Sequence, residues 1–86
     1  MNIQINEQLF KKTTVRERQI VALIAQGKRT AQIASELCLS RDTIESHRHK
    51  IIRKTGFKTS PQIVAEFFRA GMIYWCAVRQ AWAHAE

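Results

Sequence analysis

Three histidines, two cysteines and a central serine are the side chains that suggest metal or nucleophile chemistry, and their spacing argues against both. His47 and His49 lie two residues apart in a segment that reads as helix. They therefore point to different sides and cannot share an ion. Cys38 and Cys76 lack the close spacing of a zinc site and are too few for a disulfide scaffold. Ser46 beside His47 is no catalytic pair, because neighbouring helical side chains diverge and no third group orients them. The sequence also lacks a glycine-rich phosphate loop and paired acids. No enzyme activity, no metal and no cofactor are expected.

A second set of polar residues has a more useful spacing. At about 100° per residue, Asp42, Ser46, His49 and Arg53 fall on one stripe, with Glu45 and Lys50 beside it. Ile44 and Ile51 fall together on the opposite side. Such a helix packs by one edge and presents donors, acceptors and cations on the other. That chemistry suits the major groove of B-DNA, where base edges are flanked by phosphates. The segment is well bounded, with Ser40 as an N-cap and Gly56 as a C-terminal stop.

The whole chain has 86 residues, 45% hydrophobic and 24% charged, with a net charge of +7. That describes one small globular unit rather than a disordered one. Residues 11–58 hold twelve Lys or Arg against four Asp or Glu, so the positive surplus sits on the central segment. A concentrated surplus is the electrostatic footprint of a nucleic-acid binder. The uncharged stretch 70–78 is too short to span a bilayer, no signal peptide precedes the cysteines, and a reduced cytoplasmic location is expected.

The elements that must position the stripe follow from local signals. Residues 1–12 form an N-terminal arm, with Ile3 and Ile5 alternating as in an extended segment packed on the domain. Thr14 and Glu17 make a capping box for a helix over 15–26, whose buried face is Ile20, Val21, Leu23 and Ile24. Glu17 leans toward the core on the wheel, as does Arg48 beside Ile44 and Ile51. Pairing of Glu17 with Arg48 is therefore one expectation. The other makes Glu17 purely a cap and Arg48 a phosphate ligand. Thr30 caps a short helix over 31–38, and the turn Cys38-Leu39-Ser40 leads into the helix over 41–54. Two short helices, a tight turn and a longer basic helix make a helix-turn-helix. Ser60 and Pro61 start a further helix over 61–70. Its apolar arc (Ile63, Val64, Phe67, Phe68) is wide enough to suggest a face for a second copy of the chain. Trp75, Val78, Trp82 and Ala85 recur at coiled-coil-like intervals, which predicts a last helix over 74–86.

The run TTVRERQIVALIAQGKRTAQIASELCLSRDTIESHRHKIIRKTGF resembles the DNA-binding domain of the LuxR/GerE family. Thr14, Arg16, Glu17, Ile24, Ala25, Gly27, Ile33, Ala34, Leu37, Ser40, Thr43, Ile44, His47, Ile51, Lys54 and Gly56 fall in register with the family pattern without a gap. The likeness continues through Val64 to Gly71-Met72-Ile73. The resemblance implies an all-α, four-helix LuxR-type helix-turn-helix domain over 13–73, to which 74–86 adds a C-terminal helix. It also implies a transcription regulator whose third helix enters the major groove of double-stranded DNA and whose fourth forms a homodimer. Only twelve residues precede the match, so a stand-alone module is expected, with a fragment of a larger regulator as the alternative.

Carried over by position, Glu45, Ser46 and His49 are base readers, with Asp42 and Arg53 at the ends of the stripe. Lys28, Arg29, Thr30, Thr43, Lys50 and Lys54 are expected to hold phosphates, and Ile63, Val64, Phe67 and Phe68 to form the dimer interface. The sequence departs from the pattern at several of these places. Thr13 replaces a leucine, Arg29 a serine and Ser60 a frequent arginine, while Ile63 and Phe67 stand where alanine is common. Glu45 is an acid in a groove that repels acids, although a carboxylate accepts well from cytosine N4. A rival reading takes the chain as a helix-turn-helix protein that sequesters another regulator through the 61–70 helix or the Trp75/Trp82 tail. An amphipathic membrane module would carry its basic residues on the apolar tail, and this chain does not.

Overall fold

The computed structural model describes residues 5–86, so the reading made for Ile3 lies outside the described residues. Five helices are followed by a two-stranded antiparallel sheet: α1 (Glu7–Lys12), α2 (Val15–Ala25), α3 (Thr30–Leu37), α4 (Arg41–Thr55), α5 (Ser60–Arg69), β1 (Ile73–Cys76) and β2 (Ala81–His84).

Local chemistry explains most of the boundaries. The Thr14 hydroxyl accepts from the Glu17 N–H at 3.1 Å, and the Glu17 carboxylate accepts from the Thr14 N–H at 2.9 Å. This is the capping box expected at the start of α2. Ser40 caps α4 through the Thr43 N–H at 3.1 Å. Gly56 ends that helix in the left-handed region, φ 78°, where a Cβ would be strained. Two caps lie one residue earlier than the sequence suggested. Arg29 stands at the N-cap of α3, which makes Thr30 its first helical residue. Thr59 caps α5 and accepts from the Gln62 N–H at 3.2 Å, which releases the Ser60 hydroxyl for another contact.

The helix-turn-helix is present as α3, a turn through Cys38, and α4. Ile20, Ile33, Ala34 and Ile44 form the buried cluster on which it sits. A larger cluster joins Leu9, Val21, Ala22, Ile51, Ile63, Phe67, Ala70, Met72 and Ile73. Helices α2 and α4 contribute to both clusters, so α4 is clamped along its length by Ile44 and Ile51.

Three expectations need correction. The segment before α2 is a helix at 7–12, not an extended arm. Asn6 Oδ1 accepts from the Leu9 N–H at 3.1 Å, Glu7 and Lys11/Lys12 suit the helix dipole, and Leu9 plugs the larger cluster. The C-terminal segment is a β-hairpin rather than a fifth packing helix. Its turn closes with Gln80 at φ 54°, and Trp75 stands opposite Trp82 with rings edge-to-face at 5.9 Å. Aromatic and β-branched side chains favour this pairing. Tertiary contacts fix it: Arg18 Nε donates to the Ala85 carbonyl at 2.8 Å, and the Ala85 N–H donates to the Met72 carbonyl at 2.8 Å. The third correction concerns Glu17. It is 1% exposed and pairs with Lys54, whose ammonium lies 2.9 and 3.0 Å from its two oxygens, rather than with Arg48. Arg48 is instead engaged by Glu45 and Ser60, and Lys54 reaches the buried carboxylate that already caps α2.

Candidate nucleic-acid interface

Burial of Ile44 and Ile51 fixes the rotation of α4 and therefore what it exposes. Asp42, Ser46, His49, Lys50 and Arg53 are all exposed. Four of them form the polar stripe, and Lys50 flanks it. Among the described residues, Lys50, Arg53, Arg29, Arg41 and Lys58 are exposed cations with no ion-pair partner, as are Lys11, Lys12, Arg16 and Arg79 elsewhere in the chain. Their charge is directed at solvent and is available to a polyanion.

Other sequence-derived candidates are engaged inside the protein. Lys28 is ion-paired with Glu36. Lys54, expected to hold a phosphate, has its ammonium on the Glu17 carboxylate. The Thr43 hydroxyl is 2.8 Å from the Ser40 hydroxyl at the start of α4. Thr30 Oγ1 donates to Glu45 Oε1 at 2.8 Å, tying the first turn of α3 to α4.

Glu45 also meets Arg48, whose Nη1 lies 3.4 Å from the same carboxylate oxygen. The other end of that guanidinium, Nη2, donates to Ser60 Oγ at 2.7 Å. Thr30, Glu45, Arg48 and Ser60 thus make a relay from α3 through α4 to α5. Arg48 Nε is buried and has no hydrogen-bond partner among the described residues, as is true of His47 Nδ1. The relay borders a cavity of about 240 Å³ lined by Ile24, Lys28, Arg29, Thr30, Ile33, Arg48 and Ser60. The sequence placed Arg48 near the inner stripe but gave no sign of its contact with Ser60, because Ser60 comes from another helix.

The expected dimer surface divides in two. Ile63 and Phe67 are core residues, 1% and 0% exposed, and are corrected out of any interface. Burying a large apolar side chain is worth about 1.5–3 kcal/mol, so both are held by folding itself. Val64 is half-buried and Phe68 is 54% exposed. Phe68 extends onto the hairpin, with its ring 5.6 Å from that of Trp82 in an edge-to-face arrangement. Trp75, 53% exposed, continues the aromatic surface.

Arg18 was missed as a residue of consequence. It is 3% exposed and donates to the Ala85, Thr13 and Phe10 carbonyls and the Thr13 hydroxyl, with its guanidinium 4.2 Å from the Phe10 ring centre. Burial lowers its pKa from the usual value and the neighbouring Glu17 partly offsets this. Its contacts hold α1, α2 and the end of the hairpin together. Among the described residues, no group of three His, Cys, Asp or Glu is placed to hold a metal, and no helix is long and apolar enough to cross a membrane.

Residues 11–67 match the family of bacterial regulatory proteins, luxR family. The chain is 41% identical over 58 residues to the spore germination protein GerE of Bacillus subtilis, an alignment that covers 67% of this chain and 78% of that protein. It is 40% identical over 55 residues to the oxygen regulatory protein NreC of Staphylococcus aureus, covering 64% of this chain and 25% of that one. No solved structure matches the chain.

Proposed function

The chain belongs to the luxR family of bacterial regulatory proteins and is a DNA-binding regulator of transcription, and on that premise we propose that it acts as a sequence-specific homodimer with α4 in the major groove. The observation that carries this reading is the exposed stripe of Asp42, Ser46, His49 and Arg53 on a helix whose other side is locked by Ile44 and Ile51. Side chains that read bases must be held in fixed register, and a helix clamped at two points supplies that register. Ser46 and His49 are the central readers, with Asp42 and Arg53 at the ends and Glu45 beside them. Lys50 and Arg29 hold phosphates, and Thr43 at the first turn of α4 lies where a backbone oxygen would pass. Lys28 and Thr30 add to that contact only if their internal partners release them.

The dimer surface of this reading is the outer side of α5, Val64 and Phe68, extended by Trp75 of the hairpin. A regulator of bacterial transcription with this binding mode works in the cytoplasm. The test is a selection from a random duplex pool across a salt series. Enrichment of a motif with two half-sites supports a specific dimer. Salt-sensitive binding without enrichment refutes sequence specificity. Absence of binding favours the rival reading, a protein that sequesters another regulator, for which the exposed Phe68 and Trp75 provide the surface.

A further inference from the structure

Glu45 is the least expected residue on the DNA-facing side, because an unpaired carboxylate near phosphates is repelled. In the folded chain it is not unpaired. Its Oε1 accepts from Thr30 Oγ1 at 2.8 Å and faces Arg48 Nη1 at 3.4 Å. Oε2 takes part in no hydrogen bond among the described residues. The carboxylate is therefore held by one oxygen and presents the other.

Arg48 is itself fixed from behind. Its Nη2 donates to Ser60 Oγ at 2.7 Å, and its Nε is buried. One end of the guanidinium is anchored on α5 while the other meets Glu45. A planar fork with two ends can do this, and a single ammonium on a flexible stem cannot hold both points in one geometry.

We propose that Arg48 is a positioning residue for base recognition: without touching DNA, it orients Glu45 and offsets its charge so that Oε2 stands as a fixed acceptor for a cytosine amino group. This rests on the reading of α4 as the groove-entering helix. The fit to cytosine follows from the chemistry of the pair. A carboxylate accepts only, and in the major groove cytosine N4 offers a donor without the adjacent acceptor that adenine carries at N7. Thr30 has a second role in this arrangement, since the same hydroxyl that fixes Glu45 sits on the first turn of α3.

The experiment compares base preference at every operator position for the full chain and for Glu45→Gln, Arg48→Met, Arg48→Lys and the Glu45→Gln/Arg48→Met double variant. Each protein's thermal melt confirms that it is folded. The wild type is expected to prefer cytosine at one position by about tenfold, the scale of one good base contact. Glu45→Gln abolishes that preference. Arg48→Met abolishes it too, and the double variant loses no more than Glu45→Gln alone. Arg48→Lys keeps the positive charge and the salt slope yet loses the cytosine preference. Preferences at positions read by Ser46 and His49 remain in all variants, which a merely structural role for Arg48 would not spare. Retention of the cytosine preference in both Arg48 variants overturns the proposal. So does a wild type with no preference that Glu45→Gln removes. A wild type that selects no duplex at all refutes the underlying DNA-reading instead, and the two failures separate at the first step.

Discussion

Substituting Lys54 by methionine tests whether its charge serves the fold or the DNA. Glu17 is 1% exposed, and its carboxylate receives the Thr14 N–H at 2.9 Å and the Lys54 ammonium at 2.9 and 3.0 Å. Removing the ammonium leaves a buried charge with one backbone donor. Breaking a fully buried ion pair costs about 3–5 kcal/mol. The Lys54 side chain is 36% exposed, so water can enter the vacated place and the cost falls to about 1–3 kcal/mol. For a domain of this size each kcal/mol moves Tm by about 4–8 °C, which sets the expected drop at roughly 10 °C. The assay is a thermal melt by circular dichroism, alongside DNA binding over a salt series. The Lys54→Met variant should melt lower while its salt slope stays at the wild-type value. Adding Glu17→Gln should restore much of the lost Tm, because the amide still accepts from Thr14 and leaves no buried charge. An unchanged Tm together with a slope reduced by about one unit would refute the reasoning and return Lys54 to the phosphate backbone.

Lys50→Ala should weaken binding to all sequences alike and flatten the salt slope by about one unit, measured by fluorescence anisotropy. Ser46→Ala or His49→Ala should instead relax preference at a single base pair by about 1–3 kcal/mol, and uniform loss in a duplex panel would remove them as readers. Arg18→Met removes the side-chain donor of the Ala85 and Thr13 carbonyls, while the Phe10 carbonyl keeps the Thr13 N–H. It should cost about 2–4 kcal/mol and raise amide exchange first in residues 73–85; uniform exchange across the chain would contradict its role as a clamp on the hairpin. Burial lowers the pKa of His84 below its usual 6.5, with Arg18 and Arg79 acting the same way and Glu86 opposing them. The unfolded chain then binds the proton more tightly than the folded one. The stability owed to neutral His84 is complete above pH 6.5 and is lost as pH falls below it. A pH series of urea melts should show this slope in the wild type and a flatter one in His84→Gln.

The helix-turn-helix was legible because its signals are local. Thr14 and Glu17 cap each other within one turn, Ser40 and Gly56 bracket α4, and Ile44 with Ile51 sets its rotation at helical spacing. Each depends on residues close in sequence, so periodicity alone carries the exposed stripe of Asp42, Ser46, His49 and Arg53. What the charged residues do with one another was not legible. Lys54 meets Glu17 across 37 positions, and Arg48 meets Ser60 rather than Glu17, because the packing of α2, α4 and α5 decides which ends come within reach. The wide apolar arc of α5 likewise looked like an interface until Ile63 and Phe67 proved to be the centre of the core.

The C-terminal segment shows the division most plainly. Trp75, Val78, Trp82 and Ala85 are compatible with a helical stripe, and a short apolar run does not choose between helix and strand by itself. Tertiary contacts chose. Trp75 lies across from Trp82, Trp82 packs on the core beside Phe68, and the buried Arg18 holds the Ala85 carbonyl 67 positions away. The sequence by itself determined the helix-turn-helix, its polar stripe and its basic charge, since nearest-neighbour chemistry is enough for those. Only the tertiary structure decided the hairpin, the partner of each buried charge and the surface left for another molecule, since those depend on groups that the chain brings together from afar.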